Sequence, residues 1–170
     1  MSGWPESRVG QYARRVGELL GLGGDQLDML EAAGSLHDAG KYFLSPELLE
    51  KPGPLDPAEW EAMRHHPEYG AAIARSEGHD EEVADWILHS HEALDGSGYP
   101  DALAGDAIPL GARVIAVVDA YVGMTSKRPY RDALSPEAAL RELSEVSGSA
   151  YDPDVVEVFT RLVRANLPGA

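Results

Sequence analysis

Residues 36–41 read LHDAGK and form the stretch around which the chain is organised. His37 and Asp38 stand side by side at the end of an apolar run, and a lysine follows four positions after the histidine. Imidazole and carboxylate groups on adjacent residues can both reach one divalent metal ion. If a helix continues that far, the i, i+4 spacing places Lys41 on the same side as His37. The stretch therefore predicts part of a metal site, whose other ligands must come from elsewhere in the chain.

Composition describes one acidic, globular domain. The chain has 170 residues, 44% hydrophobic and 25% charged, with 14 basic and 29 acidic residues and a net charge of −15. This charge, without any basic stripe, argues against duplex DNA or an anionic membrane as a partner. No apolar run approaches the length of a membrane span and the N-terminus does not resemble a signal peptide, so we expect a cytoplasmic protein. The absence of cysteine leaves only oxygen and imidazole as metal ligands.

Helical periodicity and helix-start signals predict an all-α fold. Apolar residues recur at helical spacing over 8–21, and a second helix capped by Asp25 runs into His37. Further helices are expected at 68–76 and 80–91. A Ser or Asp before a proline marks four more helix starts, at Ser45-Pro46, Asp56-Pro57, Ser135-Pro136 and Asp152-Pro153.

Two segments decide details of this prediction. Residues 111–124 are the most apolar run, and their valines and isoleucine would also suit a strand. Their length and alanine content favour a buried helix that contains Asp119. Residues 95–100, with two glycines and a proline, cannot be regular structure and are predicted to form a loop.

Three further sites carry potential metal ligands. His66 ends a helical segment before a proline, and His91-Glu92 precedes the glycine-rich loop. Asp119 lies in the most apolar segment, where an unpaired carboxylate costs several kcal/mol. An isolated histidine is more often structural than a ligand, but helical bundles build metal sites from such residues on several helices. The donor set alone suits iron, manganese or zinc.

Several long motifs, in order, closely resemble the HD-GYP family. They are HDAGK at 37–41, KPGPLDPAEWEAMRHHPEYG at 51–70, HSHEALDGSGYP at 89–100, IPLGARVIAVVDAY at 108–121, MTSKRPYR at 124–131 and GSAYDPDVVEVF at 148–159. The resemblance is strongest over residues 8–165 and implies a single domain over 1–170. It implies an HD-domain helical bundle with an additional GYP loop and C-terminal helices.

The family resemblance also implies a function and its residues. The family is an all-α branch of the HD metal-dependent phosphohydrolases, and its typical activity is hydrolysis of cyclic di-GMP by a metal-activated water. The implied catalytic residues are Asp38 and Lys41. The implied metal ligands are His37, Asp38, His66, His91 and Asp119, and the implied substrate contacts are Lys41, Gly98, Tyr99, Pro100, Arg128 and Arg131. We expect two divalent ions, with iron or manganese favoured over zinc.

Two expected ligands are absent. Pro5 stands where the family usually has a histidine before the first helix, and Met1 falls where a subset carries a glutamate for a third metal. Ser90 replaces the first histidine of the usual His-His-Glu. His89 is a doubtful substitute because one residue rotates a helical side chain by about 100°. Glu6 is a candidate replacement for the ligand missing at Pro5.

The sequence leaves two functional interpretations open. The favoured one is a metal-dependent phosphodiesterase acting on cyclic di-GMP or a related cyclic dinucleotide. The alternative is a partly degenerate HD-GYP module that binds a nucleotide or a signalling partner with little or no hydrolysis. The implied partners are a diguanylate cyclase domain or a sensory or receiver domain. A bundle without metal would require all these donors to coincide by chance.

Overall fold

The computed structural model describes residues 7–127 and 132–167, and the regular structure within them is entirely helical. The all-α prediction is therefore confirmed. The α-helices are α1 Arg8–Leu19, α2 Gly24–Leu36, α3 Pro46–Leu49, α4 Pro57–Arg64, α5 His66–Ser76, α6 Glu81–Leu88, α7 Leu110–Thr125, α8 Pro136–Glu145 and α9 Pro153–Arg164. Short 3₁₀ turns occupy Ala39–Phe43 and Gly105–Ala107. Among the described helices, none is both long and apolar enough to cross a bilayer.

The four proline-marked helix starts are confirmed. In each case the preceding Ser or Asp side chain accepts a hydrogen bond from a backbone N–H of the first turn, and proline occupies the first helical position. The predicted cap of α2 is wrong. Gly23 is the N-cap, its N–H donates to Gln26 Oε1 at 3.4 Å, and Asp25 lies inside the first turn.

Helix α6 ends earlier than the sequence predicted, and α2 does not continue as far as Lys41. The predicted segment 80–91 is helical only to Leu88. Ser90 donates two hydrogen bonds to the carbonyl oxygen of Ile87, one from its backbone N–H at 3.3 Å and one from its hydroxyl at 2.9 Å. The α-helical hydrogen bond from His91 to that carbonyl does not form, so His91 lies in a turn. Lys41 lies on a 3₁₀ turn, and its side chain reaches back to Asp38.

Helix α7 lies at the centre of the domain and contacts α1, α2, α6, α8 and α9. Tyr121 of α7 packs edge-on against Tyr12 and Phe159, with ring centroids 6.0 and 5.0 Å away. This aromatic cluster fixes α7 between α1 and α9. The burial of its β-branched side chains confirms a buried helix rather than a strand for this segment. Four of them are fully buried: Val114, Ile115, Val117 and Val118.

Two glycines permit the close approaches that assemble the site. A Cβ on Gly40 would collide with the backbone of α5 at His66 and Gly70, so the 3₁₀ turn lies directly against the start of α5. A Cβ on Gly111 would collide with the ring of Trp86, which packs α6 onto α7. These contacts bring the end of α2, the start of α5, the end of α6 and the middle of α7 to one place.

Candidate metal centre

His37 and Asp119 meet between α2 and α7. His37 Nε2 lies 3.2 Å from Asp119 Oδ1 and 3.6 Å from Asp38 Oδ1. The other ring nitrogen, Nδ1, lies 2.8 Å from the carbonyl oxygen of Gly34 and donates its proton there. This bond leaves Nε2 as the atom available to a metal.

Asp38, His66 and His91 form the neighbouring group. Their potential ligand atoms all lie within 4.8 Å of one another. His66 Nε2 is 3.7 Å from Asp38 Oδ1 and 3.0 Å from His91 Nε2. His66 Nδ1 donates to the carbonyl of Met63 at 2.7 Å, so its Nε2 lone pair faces the group. The structure thus brings all five predicted ligands together, with Asp38 between the two sets.

The buried polar atoms fit a metal ion. Within the described residues, His37 Nε2 and Asp38 Oδ1 are buried without a hydrogen bond of acceptable geometry. The ammonium of Lys41 forms an ion pair with Asp38 Oδ1 at 2.7 Å, which only partly satisfies that oxygen. Unsatisfied buried donors and acceptors are uncommon in folded proteins, and a coordinated ion would satisfy both atoms. Nitrogen and carboxylate donors without sulfur suit iron, manganese or zinc.

The acids of the centre remain ionised. Burial opposes the charge on Asp119, but the close contact and charge of His37, helped by His91 and Lys41, lower the pKa of Asp119 to about 2. Burial likewise works against Asp38, while the charges of His37 and Lys41 lower its pKa. Both carboxylates are therefore available to a cation at neutral pH.

The pKa values of the histidines in the two sets are shifted in opposite directions. Burial is the main cause that lowers the pKa of His91 to about 4, and it also lowers the pKa of His66. Burial opposes protonation of His37 too, but the close contact with Asp119 and the charge of Asp38 raise its pKa. His66 and His91 are thus neutral at pH 7, as metal ligands must be.

The GYP loop packs on the second set. The Tyr99 ring stacks parallel on the His91 ring, with centroids 5.2 Å apart. The backbone N–H of Tyr99 donates a hydrogen bond to the His91 carbonyl oxygen at 3.2 Å. Burial raises the pKa of Tyr99 to about 12, so its hydroxyl keeps its proton. The guanidinium of Arg64 lies 5.2 Å from the ring centroid. Gly98 has no room for a side chain because a Cβ would collide with Glu92 and Ala93.

Glu92 holds the neighbouring loop in place, a role that the sequence did not reveal. Its carboxylate is 4% exposed and accepts the backbone N–H groups of Asp101 and Leu103 at 2.8 and 3.1 Å. It therefore fixes the loop that carries Gly98, Tyr99 and Pro100. The only signal was its place between His91 and the loop, which suggested a ligand rather than an anchor.

The structure shows the consequences of the departure at Ser90 and the position of His89. His89 lies against Asp85 and Asp101, with its Nδ1 and Nε2 each 3.0 Å from a carboxylate oxygen. It faces away from the predicted ligands, as the helical rotation predicted. Ser90 is buried and its hydroxyl donates to the Ile87 carbonyl. Met1, Pro5, Glu6, Arg128 and Arg131 lie outside the described residues.

The helical bundle, with its histidine–aspartate centre, defines the chain as an HD domain. The HD domain family matches residues 2–155, and the chain belongs to this family. The resemblance to its HD-GYP branch is confirmed by the relatives that follow.

Three curated relatives come from different bacteria. The chain is 38% identical to the 3'3'-cGAMP-specific phosphodiesterase 2 of Vibrio cholerae over 95% of its length and 32% of that protein. It is 40% identical to the cyclic di-GMP phosphodiesterase response regulator RpfG of Xanthomonas campestris pv. campestris, with coverage of 91% and 41%. It is 38% identical to a cyclic di-GMP phosphodiesterase of Thermotoga maritima, with coverage of 91% and 43%. The chain thus spans less than half the length of these relatives.

Solved structures share the fold. A cyclic GMP-AMP specific phosphodiesterase of Vibrio cholerae matches with a TM-score of 0.74 at 24% identity, covering 94% of this chain and 43% of that one. An HD-GYP-type protein of Bdellovibrio bacteriovorus matches with a TM-score of 0.74 at 18% identity, covering 92% and 50%. These similarities confirm the predicted HD-domain bundle.

Proposed function

We propose that the chain is a metal-dependent phosphodiesterase that hydrolyses cyclic di-GMP or a related cyclic dinucleotide. The observation that carries the proposal is the pair of overlapping donor sets, which share Asp38 and have Lys41 beside it. The relatives named as cyclic dinucleotide phosphodiesterases support the same activity. The protein would act in the cytoplasm, where such messengers are found.

The proposed centre takes two divalent ions, iron or manganese in preference to zinc. His37, Asp38 and Asp119 would hold one ion, and Asp38, His66 and His91 the other. Three protein ligands leave coordination positions open, as catalytic sites require. Bound metals would supply Lewis acidity for phosphate ester hydrolysis and lower the pKa of an attacking water.

Lys41 is the proposed cationic residue of the reaction. Its ammonium lies 2.7 Å from Asp38 Oδ1 and its side chain is 35% exposed, so it borders both the metal ligands and solvent. In this position it can neutralise developing charge on a phosphoryl oxygen. It can also donate a proton, directly or through a water, to the departing ribose oxygen.

The remaining proposed residues hold the substrate. Arg128 and Arg131 would bind phosphate oxygens through their guanidinium groups. The loop residues Gly98, Tyr99 and Pro100 would contact the nucleotide next to His91. The packing of Tyr99 on that ligand supports this role because it places the loop beside the metal centre.

A second candidate is an HD-GYP module without appreciable hydrolysis. The buried hydroxyl of Ser90 favours it, since it replaces an expected ligand and binds a carbonyl instead. Such a module would bind a nucleotide or a partner such as a diguanylate cyclase, sensory or receiver domain. Metal affinity and turnover distinguish the two candidates.

The decisive experiment combines metal content with turnover. Protein purified without chelator should contain one to two metal ions, and cyclic di-GMP hydrolysis should appear with added manganese or iron. The double variant His37→Ala/Asp38→Ala should lose both. A preparation that stays metal-free in excess manganese contradicts the enzyme proposal, whereas metal binding without turnover favours the module.

A further inference from the structure

The histidines of the centre are held in two different ways. His37 Nδ1 donates to the Gly34 carbonyl at 2.8 Å. His66 Nδ1 donates to the Met63 carbonyl at 2.7 Å. Such bonds fix the tautomer and the rotation of a metal-binding imidazole. Within the described part of the chain, the only hydrogen-bonding contact of the His91 ring is with His66 Nε2, at 3.0 Å. The rotation of the His91 ring is therefore set by contacts of another kind.

Two aromatic rings contact the His91 ring. The Tyr99 ring lies parallel to it within 1°, with centroids 5.2 Å apart, and the His66 ring meets it edge-on at 4.7 Å and 75°. Ring pairs at about 4.5 to 7 Å attract each other in such stacked and edge-to-face arrangements. Because His66 is itself a proposed ligand, Tyr99 is the support from outside the ligand set. Its ring orients the His91 imidazole as a backbone carbonyl orients the His37 imidazole.

Arg64, at the end of α4, contacts the Tyr99 ring in turn. Its guanidinium carbon lies 5.2 Å from the ring centroid, within the limit of about 6 Å for a cation–π contact. Burial raises the pKa of Tyr99 to about 12, and the positive charge of Arg64 opposes this rise, as expected of a charge close to the phenol. Arg64 is exposed and has no ion pair among the described residues. The nearby carboxylates of Glu61 and Glu68 lie beside His65 instead, at 3.8 and 3.2 Å.

We propose that Arg64 is a positioning residue of the metal centre, which holds the Tyr99 ring and, through it, the His91 imidazole. The end of α4 then supports both histidines of the second set. The Met63 carbonyl holds His66, and the next side chain along the helix holds His91. The inference rests on the proposed function, since it concerns ligands of a proposed ion. It adds a residue outside the ligand set that controls how tightly this ion is bound.

The first test uses the sign of a change in metal affinity. Loss of a positive charge near a cation site should by itself strengthen cation binding. If Arg64 positions His91, Arg64→Gln should instead weaken manganese binding about two- to fivefold, the factor that corresponds to an exposed cation–π contact. Calorimetric titration of metal-free protein measures this affinity, and an Asp119→Ala background, which removes a ligand of the other set, identifies the ion concerned. Unchanged or tighter binding in Arg64→Gln overturns the proposal.

Arg75→Gln is the matched control. It removes the same charge from an exposed position on α5, where Arg75 pairs with Glu81 away from the centre. It should not weaken manganese binding. An equal loss in Arg75→Gln and Arg64→Gln would show that the effect comes from overall charge, and it would overturn the positioning role.

Variants of Tyr99 test whether Arg64 acts through the ring. Tyr99→Phe keeps the ring and should keep the manganese affinity, whereas Tyr99→Leu should weaken it about tenfold or more, as is typical when the group that orients a ligand is lost. Added to Tyr99→Leu, Arg64→Gln should cause no further loss, because the two changes interrupt one chain of contacts. Additive losses overturn the proposal. So does an Arg64→Gln variant whose KM rises with unchanged metal affinity, since Arg64 would then contact the substrate directly.

The second test observes the His91 ring without metal. In ¹H–¹³C NMR spectra of the full chain in EDTA, the stacked Tyr99 ring should shift the His91 ring protons, and Tyr99→Leu should remove this shift. Arg64→Gln should move the same resonances part of the way, and Arg75→Gln should leave them in place. Resonances that Arg64→Gln does not move overturn the proposal. If they move but the wild type binds no manganese, the positioning role is retained and the proposed function is lost.

Discussion

The Nε2 atoms of His66 and His91 lie 3.0 Å apart. His66 uses its Nδ1 proton on the Met63 carbonyl, so its Nε2 offers a lone pair towards the other ring. Two neutral imidazole nitrogens at this distance need a proton or a cation between them. Burial keeps the pKa of both rings low, which favours a cation over a proton near neutral pH.

We therefore expect manganese or zinc to stabilise the protein against unfolding. A ligand that binds only the folded state at 100 times its Kd adds about 2.7 kcal/mol, which should raise the melting temperature by several degrees. Calorimetry in metal and then in EDTA measures the effect. His66→Ala should lose the part of the shift that comes from the ion of its own set, and His65→Ala should keep the full shift, because His65 pairs with Glu68 outside the centre. An equal metal-induced shift in His66→Ala would contradict the assignment.

Asp38 is shared by both donor sets, whereas Asp119 belongs to one. Removal of Asp119 should reduce the metal stoichiometry from two to one, and removal of Asp38 should abolish tight binding at both positions. Elemental analysis of Asp119→Ala and Asp38→Ala, purified under the same manganese concentration, checks the difference. Equal stoichiometry in the two variants would show that Asp38 does not bridge.

Ser90 and Pro5 mark the positions where ligands are missing. Ser90→His combined with Pro5→His should tighten metal binding and increase cyclic di-GMP turnover, because each set would gain one imidazole. Ser90→Ala serves as the control, since it removes the hydroxyl bond to Ile87 without adding a donor. If the double histidine variant binds metal no more tightly than the control, the departures do not limit the centre.

The sequence predicted which donor residues lie together better than the packing that brings them together. Adjacent donors and helix-start signals depend on local chemistry, so HDAGK and the four Ser/Asp-Pro caps could be read directly. Helix ends were harder to predict, because they depend on which donors form hydrogen bonds to individual carbonyl groups. The end of α6 at Leu88 required knowing that Ser90 would bind Ile87, which periodicity does not reveal.

The sequence also did not predict the packing between residues that are distant along the chain. Gly40 gave no sign that it must lie against the backbone of α5, yet this approach brings His37 and Asp38 to His66. The loop contacts of Glu92 were missed for the same reason, because its partners, Asp101 and Leu103, are backbone amides that any residue could supply.

The metal-free protein should lose stability as pH falls from 6.5 to 4. The unfolded chain takes up a proton on His91 from pH 6.5 downward, whereas burial lowers the pKa of the folded residue to about 4. The full difference corresponds to about 3 kcal/mol. The low pKa of Asp119, about 2, adds stability that is lost only as pH falls from about 4 through 2.

His37 contributes with the opposite sign. Its raised folded pKa gives stability that is fully present below pH 6.5 and is lost as pH rises from 6.5 through the higher pKa of the folded residue. Urea unfolding in EDTA at pH 4.5, 5.5 and 6.5 measures the combined effect of His91 and His66, since burial lowers the pKa of both rings. His91→Gln should flatten the dependence, and the same slope in the variant would exclude His91 as its source.

Glu92 should matter to the loop more than to metal binding. Glu92→Ala leaves the N–H groups of Asp101 and Leu103 without their acceptor, which should cost about 1 to 3 kcal/mol of unfolding free energy. Because these bonds fix the loop that carries Tyr99, the variant should raise KM for the cyclic dinucleotide while retaining metal stoichiometry. Glu82→Ala, an exposed glutamate on α6, is the matched control and should change neither quantity. Unchanged KM and unchanged stability in Glu92→Ala would show that the loop is held by its other contacts, including the stacking of Tyr99 on His91.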